Sequence, residues 1–142
     1  FDLSALTYVG LLYIQSNKAL ESFSLPSLTS THFSIEITSN SALGSFSLPS
    51  LTHVGTGGGS FATRDLRVEN NDALTAFDLS ALTYVGQRLD LQDNNALAQC
   101  LVDALVEQIE SGEGVGWSSH TDGNNENCTC EEVAGAVVAT CP

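Results

Sequence analysis

The stretch Phe1-Asp2-Leu3-Ser4-Ala5-Leu6-Thr7-Tyr8-Val9-Gly10 recurs letter for letter at Phe77–Gly86, and shortened versions of it begin at Phe23 and Phe46. Each copy is followed by a strip of alternating apolar and polar residues and then by Asn-x-Ala-Leu. The repeat unit is therefore about 22–23 residues long, which is the signature of a stacked-repeat architecture. We predict a mainly β fold, a leucine-rich-repeat-like parallel β-solenoid of about four coils, in which each coil packs on its neighbours.

The alternating strips are predicted to be strands of a parallel sheet. They are Leu12–Gln15, Ile35–Thr38, Leu66–Glu69 and Leu89–Gln92. Stacked coils place equivalent residues about 4.8 Å apart. The outward side chains of the strips would then form one column, Tyr13, Glu36, Arg67 and Asp90. An arginine between two carboxylates is favourable by about 0.2–1 kcal/mol per cross-strand pair, which supports this alignment.

Two further columns run through the repeat. The phenylalanines that open the units are Phe1, Phe23, Phe46 and Phe77, and the asparagines that close them are Asn17, Asn40, Asn71 and Asn94. Burial of each large apolar side chain stabilises the fold by about 1.5–3 kcal/mol. An asparagine at a corner satisfies the peptide groups of a turn with its own amide. We therefore interpret both columns as structural ladders, with ligand binding by the asparagines as the alternative.

All four cysteines lie in the C-terminal third, at Cys100, Cys128, Cys130 and Cys141. An even number of cysteines indicates two disulfides and an oxidising, extracellular compartment. A zinc site is the alternative, but the spacing fits no common zinc finger. Cys128 and Cys130 are too close in the sequence to pair comfortably, and the two other pairings stay open.

The repeat ends near Gln99, so we divide the single domain into repeats at 1–99 and a disulfide-linked cap at 100–142. Apolar residues spaced along Cys100–Glu110, with a glycine soon after them, predict a helix. The Gly-, Ser- and Asn-rich stretch Gly112–Asn127 is predicted to be a loop, and Cys130–Ala139 a short second helix or a strand. Such a helical, disulfide-bonded cap would cover one end of the stack.

The chain is strongly acidic, with 4 Lys and Arg against 17 Asp and Glu and a net charge of -13. It cannot replace the counterions of a nucleic acid, so we exclude that partner, and anionic membrane surfaces are disfavoured. No apolar run approaches the roughly 20 residues that span a bilayer, so no membrane insertion is predicted. Because no signal segment opens the sequence, we expect mature or trimmed material.

The pattern Leu-x-x-Leu-x-x-Val-Gly, followed by a Leu-x-Ile strip, Asn-x-x-Leu and an apolar strand, resembles the receptor L domain of insulin- and EGF-receptor ectodomains and microbial surface proteins. The likeness covers Phe1 to about Gln99 and is carried by the pairs Val9-Gly10, Val54-Gly55 and Val85-Gly86. The second unit departs from it, with Thr31-His32 at the Val-Gly position.

The tail from Cys100 is similar to the C-terminal caps of secreted bacterial members of that family. The resemblance implies a right-handed β-solenoid and a non-enzymatic extracellular recognition or scaffold module. Its motifs specify the fold far better than the ligand, because one fold hosts many functions.

Two surface features are candidates for ligand binding. The aromatic side chains of Tyr8, His53 and Tyr84 follow the same threonine in their units and suit protein or sugar recognition, with packing over their own corners as the alternative. The Gly-rich insertion Gly55–Arg64 would project as a flexible loop, with Phe61 and Arg64 at its tip. Loops on a rigid scaffold often carry binding function.

Two further patterns indicate an ion or a modification. The acidic run Asp122–Asn127 offers oxygen ligands for calcium but lacks the EF-hand spacing, so a solvated loop is the alternative. No other cofactor and no other metal is predicted. Asn127-Cys128-Thr129 matches the N-glycosylation sequon, although the cysteine in its middle is expected to form a disulfide.

No nucleophile with a nearby base is recognisable, so we predict that the protein is not an enzyme. The sequence favours a recognition or adhesion module that binds protein or glycan at the cell surface through a solenoid face and the Gly-rich loop. The alternative is a homo-oligomeric subunit of an extracellular filament or coat, assembled by stacking of solenoid ends. A first unit that begins at Phe1 would leave an apolar end for such stacking.

Overall fold

The computed structural model describes residues 3–60 and 62–142. The strands are β1 Tyr8–Val9, β2 Leu12–Gln15, β3 Ser22–Ser24, β4 Ser30–Thr31, β5 Ile35–Thr38, β6 Ser45–Ser47, β7 His53–Val54, β8 Leu66–Glu69, β9 Ala76–Asp78, β10 Tyr84–Val85, β11 Arg88–Gln92, β12 Gly114–Val115, β13 Ser118–His120, β14 Thr129–Val133 and β15 Ala136–Thr140, and the helix is α1 Gln99–Glu110. Phe1, of the phenylalanine column, and Phe61, of the Gly-rich insertion, lie outside the described residues.

Three parallel sheets make up most of the structure. Sheet A has the strand order β1-β4-β7-β10-β12, sheet B the order β2-β5-β8-β11-β13, and sheet C the order β3-β6-β9. Neighbouring strands of each sheet come from successive units, so each unit pairs with the next one rather than with itself. The predicted mainly β structure with parallel sheets is confirmed, and the pairing is compatible with a solenoid.

The register of sheet B is the one predicted from the alternating strips. Tyr13 pairs with Glu36, Glu36 with Arg67, and Arg67 with Asp90. The intervening residues point inward, and Ile37, Val68 and Leu91 have no exposed surface. Strict alternation across the pleat thus places the apolar half of each strip in the core and the polar half outside.

Inside the stack, the phenylalanines of successive units lie above one another. The rings of Phe23 and Phe46 are 5.6 Å apart and nearly parallel, and those of Phe46 and Phe77 are 6.0 Å apart. These separations are within the range of favourable aromatic pairs. Phe46 is 2 % exposed and belongs to the same apolar cluster as Val54 of sheet A and Leu66 of sheet B, so the sheets share one core.

The asparagines that close the units are linked by hydrogen bonds. The backbone N–H of Asn17 donates to Oδ1 of Asn40 (3.0 Å), that of Asn40 to Asn71 (3.0 Å), and that of Asn71 to Asn94 (3.1 Å). Each side-chain amide after the first also donates to a backbone carbonyl of the preceding unit, as Asn71 does to Ile37 (2.9 Å). The asparagines therefore tie neighbouring units together.

The residue before each of these asparagines has a left-handed backbone. The φ angles are 58° at Ser16, 58° at Ser39, 56° at Asn70 and 55° at Asp93. Serine, asparagine and aspartate tolerate this region because their short polar side chains bond locally to the backbone. The tight corner is thus built by two adjacent residues, one left-handed and the other bonding to the next unit.

The helix predicted at Cys100–Glu110 is present as α1. Its residues Val102, Leu105 and Ile109 are buried in the core, at the spacing of one helix face. The amide of Gln108 donates to the carbonyls of Leu79 (3.0 Å) and Leu82 (2.8 Å). In chain order α1 follows β11, where earlier units have a sheet C strand, so it takes the place of that strand.

The prediction of a loop at Gly112–Asn127 was wrong for part of that stretch. Gly114–Val115 pairs with Tyr84–Val85 as β12, and Ser118–His120 pairs with Arg88–Asp90 as β13. Asn124 continues the asparagine ladder, since its Oδ1 accepts the N–H of Asn94 (3.3 Å) and its amide donates to the carbonyl of Leu91 (2.8 Å). The tail therefore adds a fifth strand to both sheets A and B.

Of the two alternatives predicted for Cys130–Ala139, a short helix or a strand, the structure has the strand. Thr129–Val133 and Ala136–Thr140 form an antiparallel hairpin. It turns through Ala134 and Gly135, with φ of 51° and 80°, and two consecutive positive values fit a two-residue hairpin turn. The β-branched residues of β15 favour strand over helix.

The two predicted disulfides are confirmed, and the pairing left open by the sequence is Cys100–Cys130 and Cys128–Cys141. The first bond joins α1 to β14, and the second joins the two ends of the hairpin segment. The first disulfide therefore holds the hairpin against α1, and the second closes the hairpin segment itself.

Candidate ligand-binding groove

The outer face of sheet B carries a row of charges. Arg67 Nη2 lies 3.6 Å from Asp90 Oδ2, and His120 Nδ1 donates to Asp90 Oδ1 at 2.8 Å. Arg67 Nε also lies 3.5 Å from Glu69 Oε1. Burial raises the pKa of the Glu69 carboxyl above its ordinary value of 4.5, while Arg67 opposes that shift. The nearly buried Asp90 is thus compensated by cationic or hydrogen-bonding groups on both sides.

The aromatic candidates Tyr8, His53 and Tyr84 occupy one column of sheet A, with Ser30 between the first two. The rings of His53 and Tyr84 are 5.6 Å apart. His53 Nε2 lies 2.7 Å from Glu113 Oε1, and its Nδ1 lies 2.9 Å from the Thr52 hydroxyl. Both ring nitrogens of His53 are therefore already occupied, whereas Tyr8 is 50 % exposed.

The Gly-rich insertion is fixed at its base. The N–H groups of Gly55 and Gly57 donate to Thr31 (3.1 Å) and His32 (2.8 Å) of the preceding unit. Arg64, predicted at the tip, instead lies at this base, where its Nη1 donates to the Gly57 carbonyl at 2.7 Å. Gly57 has no room for a Cβ, which would lie 2.6 Å from the His32 ring. Among the described residues of the loop, Thr56, Gly58, Gly59 and Ser60 are exposed.

Between this loop and the outer face of sheet B lies a groove of about 230 Å³. Ser60 and Ala62 form its loop side. Its other sides are formed by Thr63, Asp65, Arg67, Gln87, Arg88 and Trp117. The groove therefore combines residues of two repeat units, the inserted loop and the tail.

The mouth of the groove carries an exposed aromatic ring and two guanidinium groups. Trp117 is 67 % exposed, and the guanidinium carbon of Arg88 lies 5.9 Å from the centre of its ring, within cation–π range. Among the described residues, no hydrogen bond is made by the guanidinium groups of Arg67 and Arg88. Each guanidinium carries five N–H donors in a planar fork, so this groove has unused donor capacity.

The floor of the groove is held by a network of hydrogen bonds. Gln87 Oε1 accepts the N–H of Arg64 (3.2 Å), and Asp65 Oδ1 accepts the N–H of Arg88 (3.1 Å). Ser34 Oγ accepts the N–H of Asp65 (3.0 Å) and donates to the Thr63 hydroxyl (3.0 Å). Hence the positions of the polar groups are set by the scaffold rather than by mobile side chains.

Close stacking of glycines brings the tail to the groove. A Cβ on Gly116 would collide with the carbonyl of Gly86, and one on Gly86 would lie 2.5 Å from the Gly55 oxygen. This approach lets the N–H of Trp117 donate to the Gln87 carbonyl at 2.8 Å. The indole is thereby placed one strand spacing away from Arg88.

Sequence reasoning identified the loop but not the rest of the groove. Arg67 was predicted only as a member of the charge column, and neither Arg88 nor Trp117 was predicted to bind ligand. The one available signal was the distribution of cations, because three of the chain's four basic residues, Arg64, Arg67 and Arg88, fall within one unit and the start of the next.

The features predicted for ions and modification lie in the tail. Within residues 3–60 and 62–142, no three His, Cys, Asp or Glu side chains converge as they would around a metal ion. In the run proposed for calcium, the side chain of Asn124 belongs to the asparagine ladder. Asn127 is exposed beside the disulfide-bonded Cys128. In the part of the chain that is described, no helix has the length and apolar character to cross a bilayer.

Comparison with known proteins identified no protein similar to this chain. No family model, no curated protein and no solved structure matches the chain. The groove and the scaffold that holds it are therefore the features of the molecule that bear on its function.

Proposed function

We propose that the chain is a right-handed solenoid of the receptor L domain type that acts as an extracellular recognition or adhesion module, without enzymatic activity. It binds protein or carbohydrate through the outer face of sheet B and the Gly-rich loop. The two disulfides are compatible with an oxidising, extracellular location.

The observation that carries this proposal is the groove itself. It joins an exposed indole, two guanidinium groups without hydrogen bonds to other described residues, and a floor of amide, carboxylate and hydroxyl groups. Sites for organic ligands typically combine an apolar surface with a few placed polar groups. The backbone that holds these side chains is tied to neighbouring units, so little ordering is needed on binding.

The loop is tested by replacing residues 58–62 with Gly-Gly, a change that leaves the hydrogen bonds of Gly55, Gly57 and Arg64 in place. The variant and the parent protein are screened against glycan and surface-protein arrays. Lys18→Gln serves as the control, since it changes an exposed residue outside the loop and the groove. We expect the loop variant to lose binding and Lys18→Gln to retain it, and undiminished binding by the loop variant would refute the role of the loop.

A second candidate, a structural subunit of a filament or coat, is favoured by exposed apolar side chains on the first unit. There Leu12, Leu20 and Phe23 line a hollow of about 610 Å³, and Leu3 and Tyr13 are 39 % and 53 % exposed. Within the described residues, Asn17 Oδ1 accepts no hydrogen bond, although the equivalent oxygen of every later asparagine in the ladder does. A second subunit stacked on this surface would cover these side chains and supply a donor to Asn17.

The other end of the stack is covered in part by α1, so contact between two first units gives only a pair of subunits, and a filament or coat needs a second contact surface on each subunit. Size-exclusion chromatography and negative-stain microscopy test this candidate. A monomer at all concentrations, without particles larger than one subunit, would contradict it.

A further inference from the structure

We propose that the ligand of the groove is an acidic saccharide, a sugar chain whose residues carry carboxylates. This inference rests on the proposed recognition function and specifies its ligand. The groove is lined by two arginines and one aspartate, in a chain whose net charge is -13. Two arginines side by side concentrate positive charge that is scarce elsewhere in this acidic chain, and the exposed Arg88 has no carboxylate partner among the described residues, which favours an anionic ligand.

The carboxylate would be held by Arg88, with Arg67 beside it. Both guanidinium groups lack hydrogen-bond partners among the described residues, and the nearest carboxylate oxygens to Arg67 lie at 3.5 and 3.6 Å, beyond good hydrogen-bonding distance. Arginine binds carboxylates through two parallel N–H···O bonds, which are stronger than neutral hydrogen bonds. The cationic side of the groove is thus suited to one carboxylate at a time.

The remaining surfaces of the groove suit a sugar ring better than a peptide. Trp117 offers a flat exposed face next to Arg88, and aromatic faces pack against apolar ring surfaces. Thr63, Gln87 and Asp65 supply groups that donate to or accept from hydroxyls. The volume of about 230 Å³ is below the range of about 300–1,000 Å³ typical of drug-sized ligands, which favours a single sugar residue of a chain.

Trp117 is the only tryptophan in the chain, so its fluorescence reports on the groove directly. We would titrate the protein with oligomers of galacturonic acid and with the same oligomers after methyl esterification of their carboxyls. Calorimetry provides an independent measure of affinity. The acid form is expected to bind at least about tenfold more tightly than the ester, because only the acid accepts charge-assisted hydrogen bonds.

Arg88→Gln is the diagnostic variant, because Arg88 is exposed and its side chain makes no hydrogen bond within the described structure. It should lower affinity for the acid to that for the ester, and Arg88→Lys should restore part of the loss by keeping the charge. Lys18→Gln is the matched control, since it removes the same charge from an exposed residue outside the groove. Circular dichroism verifies that each variant is folded.

Several results would overturn the inference. Equal binding of acid and ester would refute the requirement for a carboxylate while leaving sugar recognition intact. Binding of a glutamate-rich peptide without binding of either oligomer would refute the saccharide class. Failure of both oligomers, together with unchanged array binding by the loop variant, would refute the inference and the proposed function of the groove together.

Discussion

Replacement of Asn71 by alanine removes a central link of the asparagine ladder. Asn71 has no exposed surface. Its Oδ1 accepts the N–H of Asn40 at 3.0 Å, and its amide donates to the carbonyls of Ile37 at 2.9 Å and Glu69 at 3.1 Å. Alanine fills none of these roles, and Asn40 is itself fully buried, so water cannot replace the lost acceptor.

The expected loss of stability follows from these contacts. A buried N–H left without an acceptor, here that of Asn40, costs about 1–3 kcal/mol. The lost hydrogen bond to Ile37 adds about 1 kcal/mol. We therefore expect Asn71→Ala to lower the free energy of unfolding by about 2–4 kcal/mol, which corresponds to a fall in Tm of about 5–15 °C for a chain of this size.

Asn17→Ala is the matched control, because it makes the same chemical change at the open end of the ladder. Asn17 is exposed, and its Oδ1 accepts no hydrogen bond from the described residues. Water satisfies the groups that this variant releases, so its effect should stay within about 0.5 kcal/mol.

Urea unfolding of both variants, followed by circular dichroism under oxidising conditions, measures the difference through the midpoint at constant slope. Equal stability of Asn71→Ala and Asn17→Ala would refute the view that the ladder stabilises the stack by satisfying buried backbone groups.

Two further substitutions test the packing and the electrostatics of the stack. Gly86→Ala should destabilise the folded protein by about 1–3 kcal/mol, because the new methyl group overpacks the site. Gly58→Ala is the control and should leave the Tm unchanged, since a Cβ at this position has nothing within 4 Å. Similar Tm values for the two variants would contradict the close approach at Gly86. Burial raises the pKa of the Glu69 carboxyl above 4.5, so the native state binds the carboxyl proton more tightly than the unfolded chain does. The stabilisation present at low pH is therefore lost as the pH rises through the raised pKa of the native state. The stability of the parent protein relative to Glu69→Gln should therefore fall in urea titrations as the pH rises above 4.5, and a difference independent of pH would refute the assignment.

Much of the stack could be predicted because the characteristic residues of the repeat each fit only one structural position in a unit. Alternating strips such as Ile35–Thr38 fix the face of each strand, since a shift by one residue would bury the polar half. The asparagine that closes each unit fixes the corner. Repetition of both signals at equivalent positions then determines which residues pair across units, including Glu36 with Arg67.

The tail could not be predicted in the same way because its repeat is degraded. Val115-Gly116 repeats the Val-Gly pair, and Asn124 follows Asn94 by one unit, but the strip between them, Ser118–His120, has no apolar alternation. Backbone hydrogen bonds to β11 hold this strand in place. Such bonds restrict the side chains little, so the amino-acid sequence gives little sign of them. The composition of the segment indicated a loop for that reason.

The groove was not predicted because one of its sides is formed by the tail, whose strands were not predicted. Its cationic residues sit on adjacent strands, and their proximity follows from the predicted register, but its aromatic wall, Trp117, comes from the segment taken for a loop. Once β13 is placed beside β11, Ser118 lies opposite Arg88, and the preceding residue, Trp117, brings its ring to 5.9 Å from the Arg88 guanidinium. A site formed by residues of several units can thus be predicted from the sequence only when every strand that borders it has been assigned.

This arrangement also explains why such a site is compatible with a stable stack. The buried groups of the repeat, including Asn71 and Asn94, satisfy one another inside the corner, so these hydrogen bonds involve no side chain of the groove. Arg88, on the outer face of sheet B, is exposed, and its side chain makes no hydrogen bond to the described residues. A rigid repeat can present a ligand site without loss of fold at particular positions. At these positions the backbone is fixed by strand pairing, and the side chain makes no hydrogen bond within the protein.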